Sequence, residues 1–214
     1  MRKLLFSFCA AFFFSCAFAQ NTNSPNYKAS DFKPQFGLKV GYNWSYITGT
    51  SQGFNNDTKT GFMVAGFFAP PSKGIGFRTE LVFSRQGYTY DNGGSNTEVM
   101  NDYIYLPQLS TFTIGKRVQF QLGGQIGFLL NAKKTTNSKD SSLTDLMNKF
   151  DYGFVGGLEI YPINQLIIGA RYNLGLGKLY KQDYSSPNPY PLPFNPETTN
   201  FKNGVFQLFV GVKF

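Results

Sequence analysis

The final eleven residues of the chain, 204–214, alternate between an apolar set of side chains and a mixed set. From its third position onward every second residue of this stretch is apolar: Phe206, Leu208, Val210, Val212 and Phe214. A period of two predicts a β-strand with one apolar face, because successive side chains of a strand point to opposite sides. About ten residues is also the length that a tilted strand needs to cross the hydrocarbon core of a bilayer. The pattern predicts a transmembrane strand, which needs partner strands elsewhere in the chain.

The amino terminus has the three parts of a secretory signal peptide. Arg2 and Lys3 are positive, residues 4–14 form an apolar run broken only by Ser7, and an Ala-Phe-Ala site ends at Ala19. We predict a signal peptide over residues 1–19, cleaved after Ala19.

Two alternatives to cleavage remain at this terminus. The first is a membrane anchor, although the apolar run is shorter than the ~20 residues of a spanning helix. The second is lipidation at Cys16, although the preceding residues 13–15, Phe-Phe-Ser, match a lipoprotein site poorly.

The chain has no histidine, and its two cysteines, Cys9 and Cys16, both lie in the predicted signal peptide. The mature chain therefore lacks disulfides, thiolate metal sites, Ser-His-Asp catalysis and the usual zinc ligands. We predict no catalytic residue, no metal and no cofactor, and the protein is not expected to be an enzyme; a hydrolase that uses carboxylates alone is the remaining enzymatic alternative. The basic residues are dispersed despite a net charge of +8, so no nucleic-acid partner is expected.

Seven further stretches with the composition of strands precede the last one. A polar, flexible lead-in is predicted over residues 20–35, and a barrel domain over 36–214. The predicted strands span residues 36–46, 60–69, 74–85, 103–114, 118–130, 150–161 and 165–174. The strand at 60–69 is apolar on both faces, so its orientation is open. Pro107 predicts a bulge or a local break in the strand at 103–114, because proline cannot donate to a ladder.

The connections between these strands alternate in length. Short connections follow the second, fourth and sixth strands, at residues 70–73, 115–117 and 162–164. Long ones follow the first, third, fifth and seventh, at residues 48–59, 86–102, 131–149 and 175–203. This layout is typical of an outer-membrane barrel. We predict an all-β fold, an eight-stranded antiparallel transmembrane up-and-down β-barrel with periplasmic termini and four extracellular loops.

A soluble, lipocalin-like barrel is the competing fold. Its apolar side chains point inward and its outer face is charged. Here the non-apolar faces of the strands consist of glycine, glutamine and asparagine with few charges, which suit the narrow interior of an eight-stranded barrel.

The charged residues on the predicted inner faces are nearly balanced in sign. They are Lys39, Arg78, Glu80, Asp151, Glu159, Arg171 and Lys213. Because an unpaired buried charge is costly, we predict ion pairs across the lumen that close it, and a barrel that conducts poorly. The alternative is an ion pathway, or an acid/base pair formed by Glu80 and Glu159.

Several motifs, spread in order over most of the chain, resemble those of the PorT-like family of small outer-membrane barrels, with OmpA-type barrels as more distant structural relatives. They lie at residues 36–43, 76–81, 103–107, 151–153 and 170–176. Phe214 is similar to the terminal aromatic signal for barrel insertion. The resemblance implies a Gram-negative outer membrane, with lipid and the insertion machinery as partners. Tyr105 departs from the family, which more often has a charged residue there.

Two connections carry further predictions. Ser142 and Asp145 have the spacing of a capping box, which predicts one helical turn over residues 143–148. The last connection is rich in proline around Tyr184, Tyr190 and Phe194. It is predicted either to cap the rim of the barrel or to contact a surface partner.

Two function classes follow from these observations. The first is a structural or interaction protein, in an envelope or secretion complex, that presents its loops on a closed barrel. The second is a narrow channel for small solutes, which a conductance measurement separates from the first.

Overall fold

The computed structural model describes residues 33–49, 56–72, 75–91, 94–115, 117–181, 194 and 199–214. These residues belong to one compact unit, Lys33–Phe214. The predicted signal peptide and most of the predicted lead-in lie outside the described residues. The described residues form nine strands: β1 (Gln35–Thr48), β2 (Asn56–Ala69), β3 (Ile75–Asp91), β4 (Asn96–Ile114), β5 (Val118–Thr136), β6 (Lys139–Ser142), β7 (Phe150–Ile160), β8 (Leu166–Gly175) and β9 (Lys202–Lys213). Within the described part of the chain, no helix has both the length and the apolar character needed to cross a membrane.

Eight of these strands close into a ring. Each pairs antiparallel with its neighbours in the order β1, β2, β3, β4, β5, β7, β8, β9, and β9 returns to β1. The short strand β6 pairs with β5 and lies outside the ring. The predicted all-β, eight-stranded antiparallel barrel is confirmed.

The two faces of the ring differ as the sequence predicts for a barrel in lipid. Leu38, Leu122 and Ile168 point outward and are 57%, 68% and 46% exposed. Arg78 and Glu159 point inward and are 1% and 0% exposed. A soluble barrel needs the opposite arrangement, so the lipocalin-like alternative is wrong.

Three neighbouring strands, β3, β4 and β5, are longer than the sequence predicts. The expected connection over residues 86–102 is wrong for most of its length, because β3 and β4 stay paired from Arg85↔Asp102 to Asp91↔Asn96. The connection over 131–149 begins late for the same reason, since β5 continues to Thr136. There Asn137 and Ser138, with φ of 48° and 62°, form a two-residue hairpin turn into β6. β2 follows β3 upward, because it begins at Asn56 and pairs from Asn56↔Tyr90 to Thr58↔Tyr88, which also shortens the connection predicted over residues 48–59. The extension is therefore a sheet of β2, β3, β4 and β5.

Of the two predicted effects of Pro107, the structure shows the local break and not the bulge. The pairing of Pro107 with Gln125 of β5 keeps the register, and on the β3 side the ladder only skips the positions opposite Leu106 and Pro107. The irregularity lies higher in β4, where Asp102 and Tyr103 face Asn131 and Leu129, so that β5 carries one extra residue.

The strand whose orientation the sequence left open is β2. Met63, Ala65 and Phe67 point into the lumen and are buried, whereas Phe62 and Phe68 face outward.

Candidate functional site

The lumen holds a cluster of five buried charged side chains at its lower end, near the short turns. We call Lys39, Arg78, Glu80, Glu159 and Arg171 the ion-pair network. Lys39 Nζ lies 2.5 Å from Glu80 Oε1 and 2.6 Å from Glu159 Oε1. Arg78 Nη1 lies 2.7 Å from Glu159 Oε2, and Arg171 Nη1 lies 2.7 Å from Glu80 Oε2. Each carboxylate is thus shared between two cations in direct contact.

The ion-pair network crosses the full width of the barrel. Glu80 is on β3 and Arg171 on β8, and four steps around the eight-strand ring separate these strands. Lys39 on β1 reaches Glu159 on β7, three steps away. The network therefore joins opposite walls and occupies the centre of the lumen.

Aromatic rings separate this network from the wall. Lys39 Nζ lies 5.0 Å from the ring centroids of both Phe67 and Phe209. Arg78 Cζ lies 4.3 Å from the ring of Phe67, and Arg171 Cζ lies 5.1 Å from that of Phe209. These rings exclude water and give the cations favourable contacts with their π faces.

Two predicted lumen charges lie outside the network. Lys213 is at the lower rim, where its Nζ sits 4.0 Å from the ring centroid of Tyr161. Asp151 is higher in the lumen and accepts a hydrogen bond from the hydroxyl of Tyr105 at 3.0 Å. Neither has an ion pair among the described residues, so the structure brings together five of the seven predicted charges.

A layer of amide and hydroxyl side chains lies directly above the ion-pair network. Arg171 Nε donates to Gln207 Oε1 at 2.8 Å, and Gln207 Nε2 donates to Asn43 Oδ1 at 2.7 Å. Asn43 Nδ2 then donates to Ser84 Oγ at 2.9 Å. This chain of hydrogen bonds links β8, β9, β1 and β3 across the lumen.

The upper end of the lumen is filled by aromatic and apolar side chains. We call this group the aromatic cap: Tyr88, Tyr103, Leu143, Met147, Leu179, Tyr180, Phe194 and Phe201, all buried. The hydroxyls of Tyr88 and Tyr180 form a hydrogen bond. The ring of Phe194 packs edge-on against Tyr180 and Phe201, with centroid distances of 5.0 and 4.8 Å.

Backbone hydrogen bonds hold the connections that supply the aromatic cap. Leu179 N donates to Phe201 O at 2.8 Å, and Asn148 N donates to Leu179 O at 2.9 Å. Because Tyr180 is buried in the cap, the pKa of its hydroxyl is raised above its usual value, although the hydrogen bond with Tyr88 opposes the shift.

The predicted turn in the connection before β7 is present. The backbone amides of Leu146 and Met147 both donate to Leu143 O, at 3.0 and 3.2 Å, which makes one helical turn. Ser142 Oγ accepts from Thr144 N at 3.4 Å. Ser142 makes no hydrogen bond with Asp145 among the described residues. The cap is therefore the bond from Thr144 N, and the predicted capping box does not form.

Two of the three aromatic residues predicted in the last connection, Tyr184 and Tyr190, lie outside the described residues. The third, Phe194, is buried in the aromatic cap. Phe214 is 75% exposed, and its backbone amide donates to Phe36 O at 2.8 Å, which ties the last residue to β1.

Some residues of the lumen were not predicted from the sequence. Tyr161 donates to Glu159 Oε2 at 2.7 Å and Gln119 accepts from Arg78 Nη2 at 2.8 Å, so both support the ion-pair network. The role of Gln119 could be predicted from strand pairing, since Gln119 directly faces Glu159 in the register of β5 and β7. The contact of Tyr88 with Tyr180 could not be predicted in this way, because the two residues are far apart in the chain.

The geometry offers little for acid/base chemistry. Glu80 and Glu159 are fully buried and are each held by cations, so neither presents a free carboxylate to a substrate. No group of three or more metal-ligating His, Cys, Asp or Glu side chains gathers within the part of the chain that the structure describes.

A family model described as an outer membrane protein beta-barrel domain matches residues 17–181. A search of curated proteins found no match.

Two solved barrels have a similar fold at low identity. The crystal structure of Ail, the attachment invasion locus protein of Yersinia pestis, is 18% identical, with a TM-score of 0.50 over 85% of this chain and 99% of Ail. Neisserial surface protein A is 16% identical, with a TM-score of 0.51 over 84% of this chain and 97% of its own. Because the family model matches most of the chain and the ring is closed with apolar side chains outward, the protein belongs to the outer membrane protein beta-barrel domain family and is an outer-membrane β-barrel protein.

Proposed function

We propose that the protein is a non-enzymatic outer-membrane barrel with a closed lumen, which presents its upper surface to a partner in an envelope or secretion complex. The observation that carries this proposal is the ion-pair network, because it joins opposite walls of the barrel. The aromatic cap supports the proposal, because its side chains fill the opposite end of the lumen. A channel needs one continuous polar path, and two different fillings oppose such a path.

We further propose that both termini are periplasmic and that the long connections are extracellular. The connections at the two ends of the ring support this orientation. The turn between β4 and β5 and the turn between β7 and β8 are short, whereas β8 and β9 are joined at the opposite end by residues 176–201. Outer-membrane barrels place short turns in the periplasm and long loops outside.

Planar-bilayer recording of the purified mature protein tests the closed lumen. We expect no stable, frequent channels. The double variant Arg78→Ala with Glu159→Ala removes both partners of one ion pair. It is expected to carry more current than the unmodified protein. Heat-modifiable gel mobility, which reports a folded barrel, provides the folding control for both proteins. Stable channels of the unmodified protein would refute the proposal and favour a narrow channel for small solutes.

Co-purification from outer membranes tests the partner. Tyr184→Ser with Tyr190→Ser changes the last connection without touching Phe194, which packs in the aromatic cap. We expect this variant to keep its folded mobility and to lose a co-purifying protein. Deletion of residues 185–196 is the less selective comparison, because it also removes Phe194. An unchanged set of co-purifying proteins in both variants counts against a partner at this connection.

Phe214 is proposed to act as a signal to the barrel-insertion machinery. Its exposed ring at the end of β9 supports this role, since most of the side chain is accessible. Phe214→Ala is expected to reduce the amount of folded barrel in the outer membrane and to leave barrels refolded in lipid vesicles unaffected. If Phe214→Ala and the unmodified protein are inserted equally well in cells, the proposed signal role of Phe214 is wrong.

A further inference from the structure

Three polar side chains lie together on the outward face of the barrel. Thr79 on β3 directly faces Gln108 on β4, and Ser110 follows two residues later on the same side. On the next strand, Gly124 of β5 faces Gln108. We call Thr79, Gln108, Ser110 and Gly124 the polar patch. The outward residues around it are apolar and exposed, including Phe77, Leu81, Phe112, Leu122 and Ile126.

The polar patch lies near the middle of the membrane. Gln108 is midway along β4 between Asp102, which pairs with Arg85 at the upper boundary, and Ile114 beside the lower turn. Each half-length is six residues. At about 3.4 Å per residue and a tilt of about 40°, Gln108 lies roughly 15 Å from either boundary. An amide at this depth faces hydrocarbon rather than water or headgroups.

The hydrogen bonds of Gln108 are only partly satisfied within the chain. Thr79 Oγ1 donates to Gln108 Oε1 at 2.9 Å. Gln108 Nε2 has no acceptor among the described residues, although it carries two hydrogens. A donor left unpaired in hydrocarbon is costly, and membrane proteins commonly place polar and small side chains where they contact another protein.

We propose that the polar patch is the contact surface between two copies of this chain in the membrane. Two copies inserted in the same direction share a two-fold axis along the membrane normal, and a residue that lies on this axis contacts its own counterpart at the same depth. The proposal places Gln108 on the axis. A primary amide is both donor and acceptor, and Gln108 Oε1 has a second lone pair. Each Gln108 Nε2 can therefore donate to Oε1 of the other copy, and Gly124 leaves space for the approach.

Thiol crosslinking in outer membranes tests this contact. The full chain carries Cys9→Ala and Cys16→Ala, so that a single introduced cysteine reports one position. Ser110→Cys, beside Gln108, is expected to give a crosslinked homodimer with a short bifunctional thiol reagent. The control is Leu208→Cys, which also faces outward but lies on β9, on the opposite side of the ring. It is expected to remain monomeric.

A second substitution separates the contact from chance collision. Gln108→Leu, added to Ser110→Cys, is expected to reduce the homodimer about tenfold, as loss of interchain hydrogen bonds in a membrane predicts. Folded gel mobility is expected to be unchanged, because leucine suits a lipid-facing position. Equal crosslinking of the Ser110 and Leu208 variants, an undiminished homodimer with Gln108→Leu, or crosslinking only to a different protein would each overturn the proposal.

Discussion

The two ends of the lumen are filled by different kinds of side chain. The ion-pair network at the lower end is built only from strand residues, on β1, β3, β7 and β8, and joins opposite walls. The aromatic cap at the upper end takes several of its side chains from connections, including Leu143, Tyr180 and Phe201. The residues that fill the lower end are therefore part of the ring itself, and we call them the lower closure. The upper closure rests partly on connections, so we expect it to open locally while the ring stays intact.

The largest effect is expected when the ion-pair network loses a carboxylate. Glu80→Leu leaves Lys39 and Arg171 without their shared partner, and an uncompensated buried charge costs about 3–5 kcal/mol. Urea unfolding in lipid vesicles, followed by the fluorescence of Trp44, measures the change. The control is Glu98→Gln, which removes a partly exposed partner of Lys59 and is expected to cost less than about 1 kcal/mol. Similar costs for both variants would contradict this account of the network.

A large but local effect is expected in the aromatic cap. Phe201→Ala removes a buried ring that packs on Phe194 and is expected to cost the cap about 3 kcal/mol. Limited proteolysis of intact cells is expected to cut the last connection faster, while the folded gel mobility of the barrel remains. Loss of folded mobility in this variant would show that the two closures are not independent.

The sequence predicts the lower closure better than the upper one, because the physical rule for the strands changes along their length. Inside the membrane apolar side chains face out, as Leu38 and Phe77 do, and the same alternation places the charges in the lumen. Above the Arg85–Asp102 ion pair the outward side chains are polar, as Glu98 and Lys133 are, and apolar side chains such as Tyr88 and Val99 face inward. A pattern of apolar side chains that all face outward therefore predicts that β3 ends near Arg85. The same pattern predicts a connection over residues 86–102.

The contacts within the aromatic cap cannot be predicted from the sequence either. Tyr88 meets Tyr180, 92 positions away, and no short-range pattern encodes such a pair. The position of Phe194 in the cap was one of two alternatives for the last connection, and the proline-rich composition alone did not decide between them.

A smaller effect is expected when the ion-pair network loses a cation. Arg171→Met leaves Glu80 paired with Lys39 at 2.5 Å, so no carboxylate is left alone. The lost bonds to Glu80 and Gln207 are expected to cost about 1–3 kcal/mol in the same urea assay. A cost equal to that of Glu80→Leu would show that the cations do not share Glu80 as the geometry indicates.

The smallest effect concerns pH and the upper closure. Burial raises the pKa of Tyr180, so the folded cap favours the protonated hydroxyl. This contribution is complete below the usual tyrosine pKa of about 10 and is lost as the pH rises beyond it. Tyr180→Phe is expected to loosen the cap by about 1 kcal/mol near neutral pH, through the lost bond to Tyr88, and to weaken its response to alkali. Proteolysis with an alkaline-active protease, at pH values on both sides of 10, compares the variant with the unmodified chain.

The seam between β1 and β9 has a consequence for how the barrel is made. These strands are the first and last of the ring in chain order, and twelve residue pairs, from Gly37↔Lys213 to Thr48↔Lys202, join them. Until β9 pairs with them, β1 and β8 each expose a row of unpaired backbone groups. Such edges promote aggregation with other chains before the barrel has folded. Removal of β9 would consequently leave an open ribbon rather than a smaller cylinder, and the seven remaining strands would have no means of sealing themselves.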